Sequence, residues 1–443
     1  MRYFCVFLLV VLNSTSCSFA QNPPPKPNVI LIMADDMGVE CLSMNGSLSY
    51  QTPVLDNLAR EGVLFTHCFS QPVCTPSRVK IMTGKYNYRN YVDFGYLDPG
   101  EKTFGHMMKE AGYKTTIAGK WQLNGVKTKE KDNQDKNRPY QMGFEEYCLW
   151  WLTEKGSRYA HPRIYQNGKL LETGTDDYGP DIVSNYILDF IERNQEQPFF
   201  VYYPMLLVHS PFVPTPDSPA WKEPEMRNKQ DNKYFGDMVA YSDKIIGRIV
   251  SKLKALDLDE NTLILFVGDN GTSRNITSQT TTGPYQGGKG SMLDNGTHVP
   301  MVAYYPRGGQ KGKIEEGLVE FSDFVPSLAE AAGIQHIPKS DGKSFFKALT
   351  PDSYAPRSSI FIHYNPNPGK VQKHDGRFVR SIDYKLYHNG RFYDMRNDKW
   401  ETQTLDVANL SDSQKKAYLQ LKKELDRAPA YDFSIPSRSA SNK

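Results

Sequence analysis

The sequence predicts an α/β protein with a doubly wound, mostly parallel sheet, followed by a smaller C-terminal antiparallel sheet plus one helix. Nearly continuous apolar runs of strand length alternate with longer amphipathic segments, which indicates strands covered by helices on both faces. Further along, short β-like stretches joined by Asp-Gly and Asn-Gly turns predict the antiparallel part. A chain of 443 residues is long enough for one large domain and a small companion.

The individual elements follow from these patterns. The predicted strands of the large sheet lie at 29–33, 114–118, 199–203, 263–267 and 301–305, and the helix candidates between them lie at 54–61, 104–111, 182–193 and 235–255. The C-terminal strands are predicted at 360–363, 378–382, 385–388 and 392–393, and the final helix at 411–425. We therefore assign residues 21–350 to the large domain and 351–443 to a small α+β subdomain.

Residues 1–20 are typical of a secretory signal peptide. Arg2 supplies the positive charge, an apolar core follows at 4–12, and Ser18-Phe19-Ala20 offers a small-x-small cleavage site. The core is too short for a stable membrane span, and the residues before Cys17 lack the large aliphatic side chain of a lipobox. We expect an exported protein, periplasmic or secreted. The formal charge of +3 is nearly neutral and argues against a nucleic-acid-binding surface.

Polar residues follow four of the predicted strands, where sites form in open α/β sheets. They are Asp35-Asp36, Lys120, His209 and Asp269-Asn270. Carboxylate and amide oxygens suit a hard divalent cation; calcium fits the mixed Asp/Asn set, and magnesium stays open. The alternative for either acidic pair alone is that it makes turns or caps helices.

The pentapeptide Cys74-Thr75-Pro76-Ser77-Arg78 is the most specific motif. Taken alone, Cys74 would more often be a buried structural cysteine. The Cys-x-Pro-x-Arg pattern, however, resembles that of the type I sulfatases of the alkaline phosphatase superfamily. Further motifs agree with that family in order: the run 29–36, Gly84-Lys85-Tyr86, Gly119-Lys120-Trp121, His209-Ser210-Pro211, Gly268-Asp269-Asn270-Gly271, Lys289-Gly290 and the segment 393–402.

The resemblance implies a chemistry. In that family the cysteine is converted by a maturation enzyme to formylglycine, whose aldehyde hydrate attacks sulfur. By resemblance, one calcium ion would be held by Asp35, Asp36, Asp269, Asn270 and an oxygen of modified Cys74. Arg78, Lys85, Lys120, His209 and Lys289 would surround the sulfate and the nucleophile. Fixed cations in a water-poor pocket stabilise the charge that develops during sulfate transfer.

Two segments depart from the family pattern. Gln122 stands where most sulfatases carry a histidine, and an amide can hydrogen-bond a sulfate oxygen but cannot transfer a proton. We predict that Gln122 is a neutral ligand and that His209 is the general acid. The run 294–300 replaces a common Glu-Gly-Gly-x-Arg-Val-Pro sequence, which puts the local shape beside the site in doubt.

The sequence says least about the substrate. Export and a hydrolytic site suggest a sulfated carbohydrate, and we expect specificity from the segments 150–163 and 363–380, which carry aromatic and basic residues. Both segments can equally be ordinary exposed loops. The alternatives are a formylglycine-dependent phosphodiesterase or phosphonate hydrolase and a non-catalytic protein that binds sulfated glycans.

Overall fold

A ten-stranded sheet forms the centre of the molecule. The computed structural model describes residues 26–125, 131–365 and 376–427. The signal peptide predicted at 1–20 lies outside the described residues. The strands are β1 (Asn28–Ala34), β2 (Val63–Phe69), β3 (Lys114–Lys120), β4 (Glu146–Trp150), β5 (Ile164–Gln166), β6 (Lys169–Leu170), β7 (Phe199–Pro204), β8 (Thr262–Gly268), β9 (Thr277–Thr280), β10 (Gly283–Gln286), β11 (His298–Tyr304), β12 (Lys313–Glu320), β13 (Ile360–Tyr364), β14 (Gly376–Arg380), β15 (Tyr384–Tyr387) and β16 (Phe392–Asp394).

The α-helices lie between and after these strands. They are α1 (Pro53–Arg60), α2 (Cys74–Thr83), α3 (Phe104–Glu110), α4 (Arg138–Gln141), α5 (Gly179–Arg193), α6 (Phe235–Ala255), α7 (Asp294–Thr297), α8 (Phe324–Ala331) and α9 (Asp412–Arg427). In the part of the chain that the structure describes, we find no helix with both the length and the apolar character needed to cross a bilayer.

The order of strands in the large sheet is β12-β2-β11-β8-β1-β7-β3-β4-β5-β6. The central strands β8, β1, β7, β3 and β4 run parallel to one another, as the sequence predicts. Towards the edges β11 pairs antiparallel with both neighbours, and β5 and β6 are antiparallel additions. The predicted fold class, a mostly parallel doubly wound sheet, is confirmed.

Alternate residues of the central strands pack against opposite helical layers. Ile30 and Ile32 of β1 belong to the apolar cluster that contains the buried faces of α1, α5 and α6. Val29 and Leu31 belong to the cluster formed with α2, α3 and α8. Both faces of β1 are therefore fully covered, which explains why its sequence is a continuous apolar run.

The C-terminal part contains the second predicted sheet, with the order β13-β14-β15-β16 and antiparallel pairing throughout. Gly390, at a φ of 87°, makes the predicted Asn-Gly turn between β15 and β16. Leu421 of α9 packs on one face of this sheet. The other face contacts Phe69 and Leu318 of the large sheet. The domain boundary near residue 350 stays a prediction.

Candidate active site

The carboxyl ends of neighbouring parallel strands bring the predicted acidic residues together. Asp35 and Asp36 directly follow β1, and Asp269 and Asn270 directly follow β8 beside it. The backbone N–H of Asp36 donates to Asp269 Oδ1 at 2.9 Å, and Asn270 Nδ2 donates to Asp36 Oδ1 at 2.8 Å. Asp36 adopts a φ of 61°, in the left-handed region that Asp tolerates better than most residues. The tight turn after β1 therefore directs two consecutive carboxylates towards one site.

Cys74 is the first residue of α2 and lies against this cluster. Its Sγ and one carboxylate oxygen from each of Asp35 and Asp269 lie within 4.8 Å of one another. The Cys74 side chain is buried and lines a cavity of about 630 Å³. Its position at a helix N-terminus favours negative charge on whatever group occupies it.

The acidic cluster fits a divalent cation. Three carboxylates are buried together, and burial, with the nearby charge of Asp35, raises the pKa of Asp269 well above its ordinary value. The side-chain oxygen of Asn270 is buried without a hydrogen-bond partner among the described residues. A buried oxygen without a partner is rare, and this one is free to coordinate a cation. The donor set of Asp35, Asp36, Asp269 and Asn270 is all oxygen, which suits calcium or magnesium.

Two cationic side chains contact Asp35. Lys120, at the end of β3, places Nζ 2.9 Å and 3.0 Å from the two carboxylate oxygens. Arg158 donates from Nη1 to Oδ2 at 3.0 Å. Burial alone would raise the pKa of Asp35, but these cations together with His209 hold it well below its usual range. Asp35 is therefore ionised.

His209 and Lys289 meet at Asp36. Lys289 Nζ donates to Asp36 Oδ2 at 2.6 Å and lies 3.0 Å from His209 Nε2. His209 Nδ1 lies 2.6 Å from the Ser210 carbonyl oxygen. Because a carbonyl only accepts, Nδ1 carries the proton and Nε2 accepts from Lys289. Burial, with the nearby positive charge of Arg158, lowers the pKa of His209 to about 4, so the ring is neutral at pH 7.

Arg78 and Gln122 supply further buried polar atoms that have no hydrogen-bond partner within the described part of the chain. Arg78 Nη2 donates to the Lys120 carbonyl at 2.6 Å, whereas Nε and Nη1 are buried without a hydrogen bond among the described residues. Gln122 lines the cavity at a φ of 47°, and its buried Oε1 likewise has no partner. These unpaired groups sit next to Cys74 and the acidic cluster, as the sequence predicts for ligands of a bound anion.

The structure does not bring Lys85 to this site. Lys85 follows α2, whose ten residues separate it from Cys74 by about 15 Å at 1.5 Å per residue. Its ammonium instead pairs with Glu101 at 2.7 Å. The Gly-Lys-Tyr motif is present, but its lysine connects the residues after α2 to the segment before α3.

The sequence predicts Arg158 only as a residue of the specificity segment 150–163, whereas in the structure its guanidinium contacts Asp35. Of its neighbours, His161 is exposed, and Arg163 pairs with Glu154 at 3.4 Å. In the second predicted segment, Lys370, Lys373 and His374 lie outside the described residues. The guanidinium carbon of Arg158 lies 4.0 Å from the centre of the Trp150 ring, and no sequence pattern predicts its contact with Asp35.

The segment 294–300, whose sequence departs from the family pattern, is held by contacts of its own. Asp294 begins α7 and accepts from Arg380 Nη2 at 2.9 Å. His298 packs in a buried stack with Phe69, at 4.9 Å between ring centres. The loop that carries Lys289 is thus held from the C-terminal sheet rather than by the usual family sequence.

Comparison with known proteins identifies the class. The sulfatase family model matches residues 27–334, and a second model, for the C-terminal part of N-sulphoglucosamine sulphohydrolase, matches residues 287–429. The chain belongs to the sulfatase family. It is a sulfuric ester hydrolase.

Individual relatives are similar over most of the chain. The N-acetylgalactosamine-6-sulfatase of Canis lupus familiaris is 29% identical over 75% of this chain and 67% of its own length. The N-acetylgalactosamine-6-O-sulfatase of Bacteroides thetaiotaomicron is 26% identical over 84% of this chain and 86% of its own. A protein solved with its substrate D-glucosamine-2-N,6-O-disulfate has a TM-score of 0.74 at 20% identity, over 93% of this chain and 99% of its own, and supports the fold.

Proposed function

We propose that the protein hydrolyses sulfate esters of carbohydrates, with formylglycine formed from Cys74 and one calcium ion held by Asp35, Asp36, Asp269 and Asn270. The observation that carries the proposal is the approach of Cys74 Sγ to two buried carboxylates within 4.8 Å. A thiol sulfur is a soft ligand that suits a calcium site built from oxygen atoms poorly. A metal and an oxygen nucleophile at position 74 explain the cluster better. Magnesium is the less suitable ion for this mixed set.

The bound cation and the aldehyde hydrate would supply a polarised sulfate and an oxygen nucleophile. The side chains around them bind and orient the ester. The unpaired Nε and Nη1 of Arg78 and the ammonium of Lys120 supply fixed positive charge near position 74. The Gln122 amide adds a neutral hydrogen bond. Because these groups are buried and already in place, they need little reorganisation when charge develops on sulfate.

We assign proton transfer to the pair formed by Lys289 and His209. The neutral His209 ring holds its proton on Nδ1, against the Ser210 carbonyl, so Nε2 accepts a proton before it can donate one to a leaving oxygen. Lys289 Nζ is within 3.0 Å of that nitrogen; burial alone would lower the pKa of Lys289, but the Asp36 carboxylate raises it, so the lysine keeps its charge and orients the ring while the proton reaches Nε2 from solvent. Gln122 cannot take part in this transfer. The pair therefore takes over the acid role that a histidine at position 122 would have shared.

The carbohydrate substrate is inferred from relatives and from the cavity. Both relatives described above are named for sulfatases of an amino sugar. The cavity has aromatic lining from Phe94 and Trp151 and polar lining from Asn228 and Gln230. Aromatic faces and amide groups are suited to the apolar faces and hydroxyl groups of a sugar ring. We further propose export through residues 1–20 and maturation by a formylglycine-generating enzyme.

The first test is mass spectrometry of the peptide containing Cys74, from protein made in its native host. We expect the aldehyde or its hydrate. The matured protein is then assayed on a panel of sulfated glycans and on matched sulfate and phosphate esters, with Cys74→Ala as the inactive control. We expect kcat/KM to favour sulfate esters. An unmodified thiol would favour a glycan-binding role without catalysis, and a preference for phosphate would favour the phosphodiesterase alternative.

A further inference from the structure

Arg158 is a buried guanidinium that lines the cavity. Its side chain is 6% exposed, lies in the loop between β4 and β5, and stacks on Trp150 at 4.0 Å. Its Nη1 donates to Asp35 Oδ2 at 3.0 Å and to the Leu206 carbonyl at 3.5 Å. The aromatic face fixes the plane of the guanidinium at the cavity wall that it shares with Cys74.

The carboxylate of Asp35 contacts two cations, and a metal ion would need one of its oxygens. Lys120 contacts both oxygens, at 2.9 and 3.0 Å, and is not part of the cavity lining. Arg158 contacts Oδ2 through one nitrogen and does line the cavity. When an ion takes an oxygen of Asp35, Arg158 is therefore the cation that can turn away from the carboxylate and still face a polar space.

The cavity suits a group of negative charge. Among its described lining residues, Lys155, Arg158 and Lys289 are cationic, and there is no carboxylate. Gln122 gives this wall a neutral amide where most members of the family carry histidine. A planar guanidinium is well matched to the oxygens of an oxyanion, to which it can donate two parallel hydrogen bonds.

We propose that Arg158 is a sulfate-binding residue, which exchanges its contact with Asp35 for the sulfate group of the ester when the cation site is filled. The proposal rests on the proposed function of the same site. Because the guanidinium remains protonated, Arg158 would contribute charge and orientation, while proton transfer stays with Lys289 and His209. Most members of the family carry a histidine at the position of Gln122. In this protein, sulfate binding and proton transfer would thus be divided between different side chains.

The test measures binding of inorganic sulfate to the full-length, calcium-loaded protein by titration calorimetry. Loss of a charge-assisted hydrogen bond costs about 1.5–3 kcal/mol, so Arg158→Gln should weaken sulfate binding roughly 10- to 100-fold. Arg158→Lys keeps the positive charge but loses the paired N–H groups of the guanidinium, so we expect an intermediate loss of sulfate affinity. Arg193→Gln, which removes an equal charge from an exposed position that pairs with Glu146, should bind sulfate like the wild type.

Calcium affinity in sulfate-free buffer separates this role from a structural one. We expect Arg158→Gln to bind calcium as tightly as the wild type or more tightly, because a competitor for Asp35 is gone. Weaker calcium binding would show that Arg158 only holds Asp35 in place and would overturn the inference, as would unchanged sulfate affinity. If Arg158→Gln does not fold, the same two measurements on Arg158→Lys decide. A wild type that neither binds sulfate nor cleaves a sulfate ester would contradict the proposed function itself.

Discussion

At the scale of single residues, His209 combines a low pKa with a place beside a cationic lysine. Its Nε2 accepts a hydrogen bond from Lys289, so the imidazole is neutral in the resting site and must take up a proton before it can donate one to the leaving oxygen. A group that donates its proton in the transition state matters most when the leaving oxygen is basic. Leaving-group dependence is therefore the property that identifies this role.

We predict that His209→Ala loses about 10²–10⁴-fold in kcat on sugar sulfates but much less on an activated aryl sulfate. An aryl oxygen leaves as a stable anion and needs little protonation. The measurement is kcat for both substrates in the wild type and the variant, with calcium affinity as a control for damage to Asp36. Equal losses on the two substrates would mean that His209 is not the general acid.

Glu40 is a buried acid close to the site that takes no part in the proposed chemistry. Both of its oxygens are buried, and neither makes a hydrogen bond of good geometry among the described residues. Burial raises its pKa from 4.5 to about 7, and Thr272 offsets only part of that effect. Because the pKa of Glu40 is raised in the folded state, its contribution to the free energy of unfolding is fully present below pH 4.5. That contribution is lost as the pH rises towards 7 and the buried carboxyl ionises.

We therefore predict that Glu40→Gln is more stable than the wild type at pH 8 by up to about 3 kcal/mol, and that this advantage shrinks towards pH 4.5. Urea unfolding of both proteins at several pH values measures the difference. The exposed Glu172→Gln serves as the matched control and should show little pH-dependent difference. A difference that did not vary with pH would contradict the burial argument.

Residue-level roles were predictable where motifs fixed them and not where the fold did. Asp35, Asp36, Cys74, Asp269 and Asn270 follow strands or begin a helix, so local sequence was enough to bring them together. Arg158 lies in an irregular loop and contacts the carboxylate of Asp35, which is 123 positions earlier in the chain. Sequence periodicity does not predict a contact of this kind. The distance of Lys85 from Cys74 follows from helix geometry rather than from its motif.

At the scale of elements, the loop between β10 and α7 carries Lys289 and is fixed from the C-terminal sheet. Lys385 Nζ donates to the Met292 carbonyl at 2.7 Å and pairs with Glu401 at 2.6 Å. Arg380 holds Asp294 at the end of the same loop. These ion pairs are buried, and Asp294 also lies 3.5 Å from Lys385 Nζ, so removing Arg380 leaves the Asp294 charge only partly compensated, which costs up to about 3–5 kcal/mol.

We predict that Arg380→Met lowers stability by about 3 kcal/mol and lowers kcat at least tenfold, because the Lys289 loop loses its anchor. Adding Asp294→Asn to this variant should restore part of the lost stability and part of the lost kcat, because no buried charge is then left without its full partner. The measurements are unfolding free energy and kcat on an activated aryl sulfate. Arg396→Met, at an exposed residue just after β16 that pairs with Asp383, should behave like the wild type. An Arg380→Met variant with normal kcat would argue against the anchor.

Elements were predictable in proportion to their burial. The central strands β1, β3, β7 and β8 are covered on both faces, so continuous apolar runs revealed them. Strand β12 alternates exposed and buried residues in its first half, and β6 is only two residues long and exposed. Such edge strands depend on pairing with a neighbour, which the sequence pattern does not record.

At the scale of the whole molecule, the proposed cation joins β1, β8 and the start of α2, three separate parts of the chain. An ion that binds only the folded state stabilises it, by about 2.7 kcal/mol at a concentration 100 times the dissociation constant. Ion binding should therefore be visible as a change in global stability, independently of any substrate.

We predict that calcium raises the melting temperature of the EDTA-treated protein by about 3 °C at that concentration. Asn270→Ala should lose most of the shift, because it removes an oxygen that has no protein partner. Asn409→Ala, an exposed amide in the C-terminal part, should keep the shift. Calorimetric melting with and without calcium gives the result. A full shift in the Asn270→Ala protein would remove Asn270 from the ligand set.

The burial of Cys74 restricts the stage at which its proposed conversion to formylglycine can take place. Only 3% of this residue is exposed, at the base of a cavity and within the first turn of α2. An enzyme active site cannot enclose the pentapeptide while those residues are packed in a helix against the sheet. Oxidation must precede folding, so folded protein made without the maturation enzyme should stay inactive when that enzyme is added later and gain activity only after unfolding and refolding in its presence.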